Sequence, residues 1–506
     1  MTLPPELVRI RDAAREAALD FGLDFPEVVF EPVDSDELNM IAAYGGFPVR
    51  YPHWRFGMEY RRLQKTYEYG LGKIYELVIN TDPCYAYLMK TNTLMEQKLV
   101  MAHVYGHADF FRNNAWFAPT DRKMVDVMAN HGTRVRRHVD RQGADAVEVF
   151  LDHCLSLENL IDPMGLYIRR HRAAEEPKQE LDADRLAAGQ VQRFPVSHRY
   201  MEPYINPREA LEKERVEIAE GLRERESFPA QPTRDILGFL LHHAPIADWQ
   251  ADCIDIVHEE AYYFAPQAMT KIVNEGWACF CHSRLMTTRL LEQKEIVDYA
   301  DKHASTLATQ PGRINPYRLG FDLLHDIEDR WNRGAHGKEW AECGDAERMR
   351  TWDDGSMDGL RKVFEVRRVH NDQTFLDAFL TPEFIHANKL YIFGRDPRTG
   401  ETVILDRDPA TVKPKLLQQL TNMGQPIIEL VDANHRNRGE LYLVHRWEGT
   451  DLREDFARQT LRALHAIWTR PTHIETAVEG KAILWSFDGS EETTKDLGKT
   501  LVGTGA

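Results

Sequence analysis

Apolar residues three and four apart recur through the first two thirds of the chain. In Pro5–Gly22, Leu7, Ile10, Ala14 and Ala18 form such a stripe, the mark of a helix with one face turned to a core. The same spacing predicts helices near Trp54–Leu63, Thr93–Phe111, Arg122–Gly143, Ala144–Asn159, Arg208–Glu224, Thr233–Leu241, Ala247–Phe264, Ala268–Leu291 and Pro316–Gly334. Asn80-Thr81-Asp82-Pro83 and Ala118-Pro119-Thr120-Asp121 separate them as turns or caps, because Asp and Thr accept amide protons left free at a helix start. Three short runs of strand character, Val28–Pro32, Ile74–Asn80 and Tyr85–Met89, suggest one small hairpin around Pro83. The charged, alanine-rich segment Arg172–Arg193 contains Pro177 and has too few apolar positions to extend a core, so it reads as a solvated excursion.

The period changes after the polar stretch Gly334–Gly355. Strand-like runs follow at Lys389–Phe393, Thr402–Leu405, Pro426–Asp432, Glu440–Arg446 and Ala482–Ser486, with helices near Thr411–Asn422 and Leu452–Trp468. From about Ser490 the residues are small and polar, as in a frayed end. The expected organisation is a mainly α domain over residues 1–345, a smaller α+β domain over 356–490 and a flexible tail over 491–506.

Composition narrows the function classes. A chain of 506 residues allows two to four domains and a core that needs no disulfide staples. Its six cysteines follow no repeated framework, which argues for a reducing compartment. The formal charge, 63 − 80 = −17, would repel phosphate backbones and argues against nucleic acid as a partner. No apolar run reaches the roughly 18–20 residues of a membrane span. The first 25 residues mix charges into a helical stripe and lack a secretory apolar core. The expected location is the cytoplasm.

Three stretches carry residues able to do chemistry. In Ala102-His103-Val104-Tyr105-Gly106-His107 the two histidines are four apart, so on a helix both imidazoles leave one face, as in zincin metal sites. Val104 stands where zincins carry their catalytic glutamate, so this helix brings no general base of its own. Further on come His258-Glu259-Glu260 and, past a break expected at Pro266, Asn274-Glu275-Gly276-Trp277. Glu275 lies among Ile272, Val273, Trp277 and Phe280, and a carboxylate desolvated in this way needs a counterion, a metal or a proton. It is the expected third metal ligand, with His258 as a further ligand or transition-state donor and Glu259 as the base that activates water. The competing reading pairs such a carboxylate with Arg284 or Lys271. Glu148 and Asp152, one turn apart, fit a set that orients metal-bound histidines, direct ligands of a helical-bundle metal site, or an ordinary solvated face, and the last reading is the commoner. Cys279-Phe280-Cys281 lacks a second cysteine pair, and its thiols read as small buried hydrophobes. No phosphate-cradling glycine loop and no Gly-x-Ser-x-Gly elbow occurs.

At these residues the chain resembles the stage V sporulation protein R (SpoVR-like) family. The matching blocks are Tyr44-Gly45-Gly46-Phe47-Pro48-Val49-Arg50 running on to Gly57, Ala102–His107, His258–Phe264, Thr270–Ala278, Asn315-Pro316-Tyr317-Arg318-Leu319-Gly320, and Asn437-Arg438-Gly439-Glu440-Leu441. The resemblance implies a bacterial cytoplasmic protein linked to spore cortex formation or stress survival. It also implies two neighbours as partners, a PrkA-like serine protein kinase and a von Willebrand A-like protein. It brings no settled reaction, so the metal site rests on residue chemistry. Two functions are therefore expected to compete. One is a metal-dependent, zincin-like hydrolase of amide bonds in a peptide or cell-wall precursor, holding Zn, Mn or Fe through His103, His107, Glu275 and His258. The other is a non-catalytic scaffold for those two partners.

Overall fold

The chain is mostly helical, with sheet gathered toward its C-terminal end, in a computed structural model that describes residues 3–68, 76–168, 196, 202–209, 211–213, 216, 228–396 and 398–500. The Arg172–Arg193 excursion lies outside the described residues, as does most of the helix expected over Arg208–Glu224. Two compact units form, each from two stretches of chain. The first comprises Met1–Glu148 with Tyr262–Gln425, the second Val149–Ala261 with Pro426–Ala506. The long helix Asp248–Met269 passes from one to the other.

At the centre of the first unit is the helix Leu94–Asn113, buried over almost its whole length. Its start is fixed by a reciprocal cap: the Thr93 hydroxyl accepts the Glu96 amide at 3.2 Å, and the Glu96 carboxylate accepts the Thr93 amide at 2.8 Å. The helices Pro5–Phe21 and Lys271–Leu285 pack against it, and Pro316–Asn332 packs against Lys271–Leu285 in turn. Pro266 does not end the helix, which runs on to Met269, and the Thr270 hydroxyl donates to the Pro266 carbonyl at 2.7 Å. The new helix starts after Thr270, whose φ of −125° is non-helical. Its first free amides, on Ile272 and Val273, are accepted at 2.9 Å by the Asp372 carboxylate, a cap supplied from a hundred residues away in sequence.

Glycines set how closely these helices approach. A Cβ on Gly106 would stand 2.8 Å from the Ala278 Cα, so the histidine-bearing and glutamate-bearing helices meet nearly backbone to backbone.

The hairpin around Pro83 forms as Glu76–Ile79 (β2) against Cys84–Met89 (β3). Val28–Val33 (β1) adds to it in parallel, pairing Val28 with Cys84, which makes a three-stranded sheet in the order β1-β3-β2. The first unit also continues past Gly355. Val363 and Val366 of Gly359–Val369, with Phe375 and Leu376 of Asp372–Phe379, enter the same apolar cluster as Val100, Val104 and Trp277. The texture change near residue 345 is polar surface chain, and it leaves the packing unbroken. The hairpin Ile392–Arg395 (β4) with Thr402–Asp406 (β5) belongs to this unit too.

The second unit holds a five-stranded sheet in the order β10-β9-β8-β7-β6. Its strands are Ile428–His435 (β6), Glu440–His445 (β7), Thr472–Val478 (β8), Lys481–Phe487 (β9) and Glu492–Thr500 (β10). The helix Glu454–Trp468 links β7 to β8, its parallel neighbour, and the other pairings are antiparallel. Residues 491–506, expected as tail, include the edge strand β10. It carries no apolar alternation because its partner β9 supplies the pairing and both its faces are polar.

Candidate metal centre

His103 and His107 leave one face of the Leu94–Asn113 helix one turn apart, their rings 4.6 Å between centroids. Glu275 approaches from the first turns of Lys271–Leu285. Its Oε2 lies 3.6 Å from His103 Nε2 and 3.4 Å from His107 Nε2, and the three donor atoms are close enough to share one cation. All three side chains are largely withdrawn from solvent, with 5%, 10% and 17% of the side-chain surface exposed.

The outer nitrogens of both imidazoles are held. His107 Nδ1 is 2.9 Å from Asn274 Oδ1, and because that oxygen only accepts, the nitrogen donates. A neutral His107 then turns the Nε2 lone pair toward Glu275. His103 Nδ1 is 2.9 Å from His282 Nδ1, and His282 Nε2 is 3.1 Å from His303 Nδ1. These contacts orient the rings, as outer hydrogen bonds do for metal-bound histidines.

Glu275 Oε2 is buried and accepts no hydrogen bond from the described residues. Two imidazole nitrogens and a carboxylate oxygen converging on one buried point need a proton or a cation between them. The donor set therefore fits a divalent ion bound by two histidines and one carboxylate. Burial pushes the Glu275 carboxyl upward, but the two facing imidazoles outweigh it and hold the group well below the usual carboxylate range. Burial and then His107 push His103 below the ordinary imidazole range, with Glu275 opposing. His282 is driven well down by burial and by its His103 and His303 neighbours.

The other expected residues lie elsewhere. His258 belongs to the second unit, where its Nε2 is 3.0 and 3.1 Å from the two Asp235 carboxylate oxygens. Glu259 beside it is exposed and Glu260 is buried. Arg284, weighed as a partner for a buried carboxylate, pairs with Glu328. Glu148 Oε1 accepts the Trp54 amide at 3.2 Å, at the start of the helix Trp54–Glu68.

Sequence reasoning gave no role to Asn274, His282 and His303, and read Cys279 as a small buried hydrophobe. Glu275, Cys279 and His282 are spaced i, i+4, i+7, which is the signal of one helical face. His103, Cys279 and His282 in fact form a second group whose donor atoms lie within 4.8 Å of one another. His303 comes from a separate helix, Ile296–Thr306, and carried no such signal.

Among the described residues no helix is long and apolar enough to cross a membrane. A protein of Escherichia coli (strain K12), described as "Uncharacterized protein YcgB", is 26% identical to this chain over 508 residues, covering 92% of this chain and 90% of the relative. No solved structure matches the chain. A family model described as "SpoVR like protein" matches residues 3–425. That stretch contains both histidines and the glutamate that converge on one point, and the chain belongs to the SpoVR family.

Proposed function

We propose that His103, His107 and Glu275 hold one divalent cation and that the protein is a zincin-like, metal-dependent hydrolase of amide bonds. The observation that carries this reading is the approach of two imidazole Nε2 atoms to one buried carboxylate oxygen, at 3.4 and 3.6 Å. Two histidines and a glutamate suit zinc first, and manganese or iron as well. An ion held there polarises a scissile carbonyl and activates water. Val104 leaves the histidine helix without a base of its own, so the group that takes the proton from that water comes from outside the helix. The family's link to the spore cortex directs the substrate toward a peptide or a cell-wall precursor, met in the cytoplasm.

The test is metal content followed by turnover. Full-length protein reconstituted with zinc should retain about one ion per chain on the two-histidine, one-carboxylate set. His103→Ala and Glu275→Gln should each lose it. Both variants should also lose peptide or precursor cleavage. Wild-type protein that retains no zinc after reconstitution would overturn the reading.

Val104 itself favours a second reading, in which the site is structural and the protein scaffolds a PrkA-like serine protein kinase and a von Willebrand A-like protein. Partner binding would then survive both substitutions, and no cleavage would be seen.

A further inference from the structure

A second set of reactive side chains lies on the sheet of the second unit, and none of its members takes part in the metal centre. Alternation along β8 decides which face they occupy. The Thr472 hydroxyl donates to the Leu461 carbonyl in the helix Glu454–Trp468, so Thr472 faces that helix, and His473 points to the opposite side of the sheet. His473 is the register partner of Ser486 on β9 and of Tyr442 on β7. Glu440, two residues before Tyr442, shares its face. Glu440, His473 and Ser486 thus stand in a row across three neighbouring strands.

The row is fully hydrogen-bonded in one direction. Ser486 Oγ is 2.7 Å from His473 Nδ1, and His473 Nε2 is 3.0 Å from Glu440 Oε2. An ionised carboxylate only accepts, so Nε2 carries the imidazole proton, Nδ1 presents its lone pair, and the serine hydroxyl donates to it. The acid is fixed in its turn by Arg438, whose Nη2 lies 2.7 Å from the other Glu440 oxygen. Glu440 and His473 are buried while Ser486 is partly open to solvent. Burial, with Glu440 opposing, keeps His473 below the ordinary imidazole range and so in its basic form at neutral pH. Burial pushes Glu440 up, and Arg438 and His473 outweigh it and keep it ionised. A serine, a neutral histidine with its tautomer set by a carboxylate, and an anchored carboxylate are the parts of an activated nucleophile, recognised by geometry and role, whatever the fold.

We propose that Ser486, His473 and Glu440 form an acyl-transfer site for carboxylic esters. Ser486 Oγ bonds to the ester carbonyl carbon as its proton passes to His473 Nδ1. The carbon–alkoxy bond then breaks and the departing alcohol takes that proton. Water attacks the acyl-serine, giving one proton to Nδ1, which returns it to Oγ as the carboxylic acid leaves. Ester and water are consumed, acid and alcohol are formed, and no oxidant or metal is needed. Esters are the class assigned because an alcohol departs more readily than an amine. The competing role for the same three residues is a polar ladder that holds the register of β7, β8 and β9.

A fluorophosphonate probe applied to the full-length protein separates the two, with the adduct placed by peptide mass spectrometry. The site predicts labelling at Ser486, none in Ser486→Ala, and labelling slowed on the order of 100-fold in His473→Gln and in Glu440→Gln, each checked for folding by its melting curve. Chelating metal beforehand should leave the labelling rate unchanged, which separates this site from the metal centre. Wild-type protein that is unlabelled at Ser486 overturns the proposal. So does a folded His473→Gln or Glu440→Gln protein labelled at the wild-type rate, since a ladder serine would not depend on its neighbours for reactivity.

Discussion

Gly276 and Gly320 stand back to back where the Lys271–Leu285 helix crosses the Pro316–Asn332 helix. A Cβ on Gly276 would overlap the Gly320 carbonyl carbon, and one on Gly320 would overlap the Ile272 carbonyl oxygen. The contact lies one residue from Glu275, so it fixes how far that carboxylate reaches toward the histidines. Gly320→Ala must push the two helices apart, and overpacking of this kind costs about 1–3 kcal/mol. The expected result is a lower urea midpoint together with weaker zinc retention. A variant that keeps both at wild-type values would show that the approach of these helices does not set the site.

Asp109, two residues past His107, gathers three other parts of the first unit. Its carboxylate accepts the Trp277 indole N–H at 3.0 Å and the Asp24 amide at 2.8 Å, and it lies 3.3 Å from Arg367 Nε. Asp109 is fully buried and the Arg367 side chain is 8% exposed. Removing one partner of such a pair strands a charge in the core, a loss of about 3–5 kcal/mol. Asp109→Ala should lower stability by that amount in equilibrium denaturation. Adding Arg367→Met to it should recover part of the loss, because the stranded cation is gone. Additive losses in the double variant would mean that the two charges do not depend on each other.

Three of the blocks that carried the family resemblance, Ala102–His107, Thr270–Ala278 and Asn315–Gly320, build this site, for a physical reason. His103 and His107 were legible because four residues make about one helical turn, and Glu275 because a lone carboxylate among Ile272, Val273, Trp277 and Phe280 needs compensation. Gly106, Gly276 and Gly320 stood in the same blocks without an evident purpose, which appeared only once their missing side chains were seen to admit neighbouring backbone. How the expected convergence is brought about was not legible. It depends on a cap from Asp372 and on helix crossings between segments far apart in sequence, which no local period encodes. The helical spans were the easiest elements, since their stripes are long. Strand β10 was missed because an edge strand with polar faces looks like loop, and β8 because Thr-His-Ile-Glu-Thr-Ala-Val puts polar groups on both faces of a buried strand. Those same polar groups include His473, which the sequence reading did not single out.

His445 on β7 should make the second unit acid-sensitive. It is buried, its Nδ1 lies 2.9 Å from the Thr476 hydroxyl oxygen, and burial lowers its pKa from 6.5 to about 4, with Asp451 opposing. Protonation therefore favours the unfolded chain. The stability this residue preserves is complete above about pH 6.5, falls as pH drops toward 4 and is gone below it, a change on the order of 3 kcal/mol. His445→Gln should flatten the stability–pH curve between pH 7 and 4 relative to wild type in urea titrations. Parallel curves for the two proteins would assign the acid sensitivity to other groups.

Glu275→Gln separates the cost of the site from its use. Without metal, the wild-type carboxylate accepts no hydrogen bond at Oε2 from the described residues and is buried against two imidazole Nε2 atoms at 3.4 and 3.6 Å. A glutamine amide can donate to one of them and buries no charge, so metal-free Glu275→Gln should melt no lower than metal-free wild type. Zinc should reverse the order. A ligand bound only by the folded state at a hundred times its Kd stabilises it by about 2.7 kcal/mol, and the variant has lost one of three donors. Thermal melts of both proteins in chelator and in excess zinc should therefore show a large upward shift for wild type and little for Glu275→Gln. An equal shift in the two would place the cation on other residues, with the His103, Cys279 and His282 group as the next to substitute.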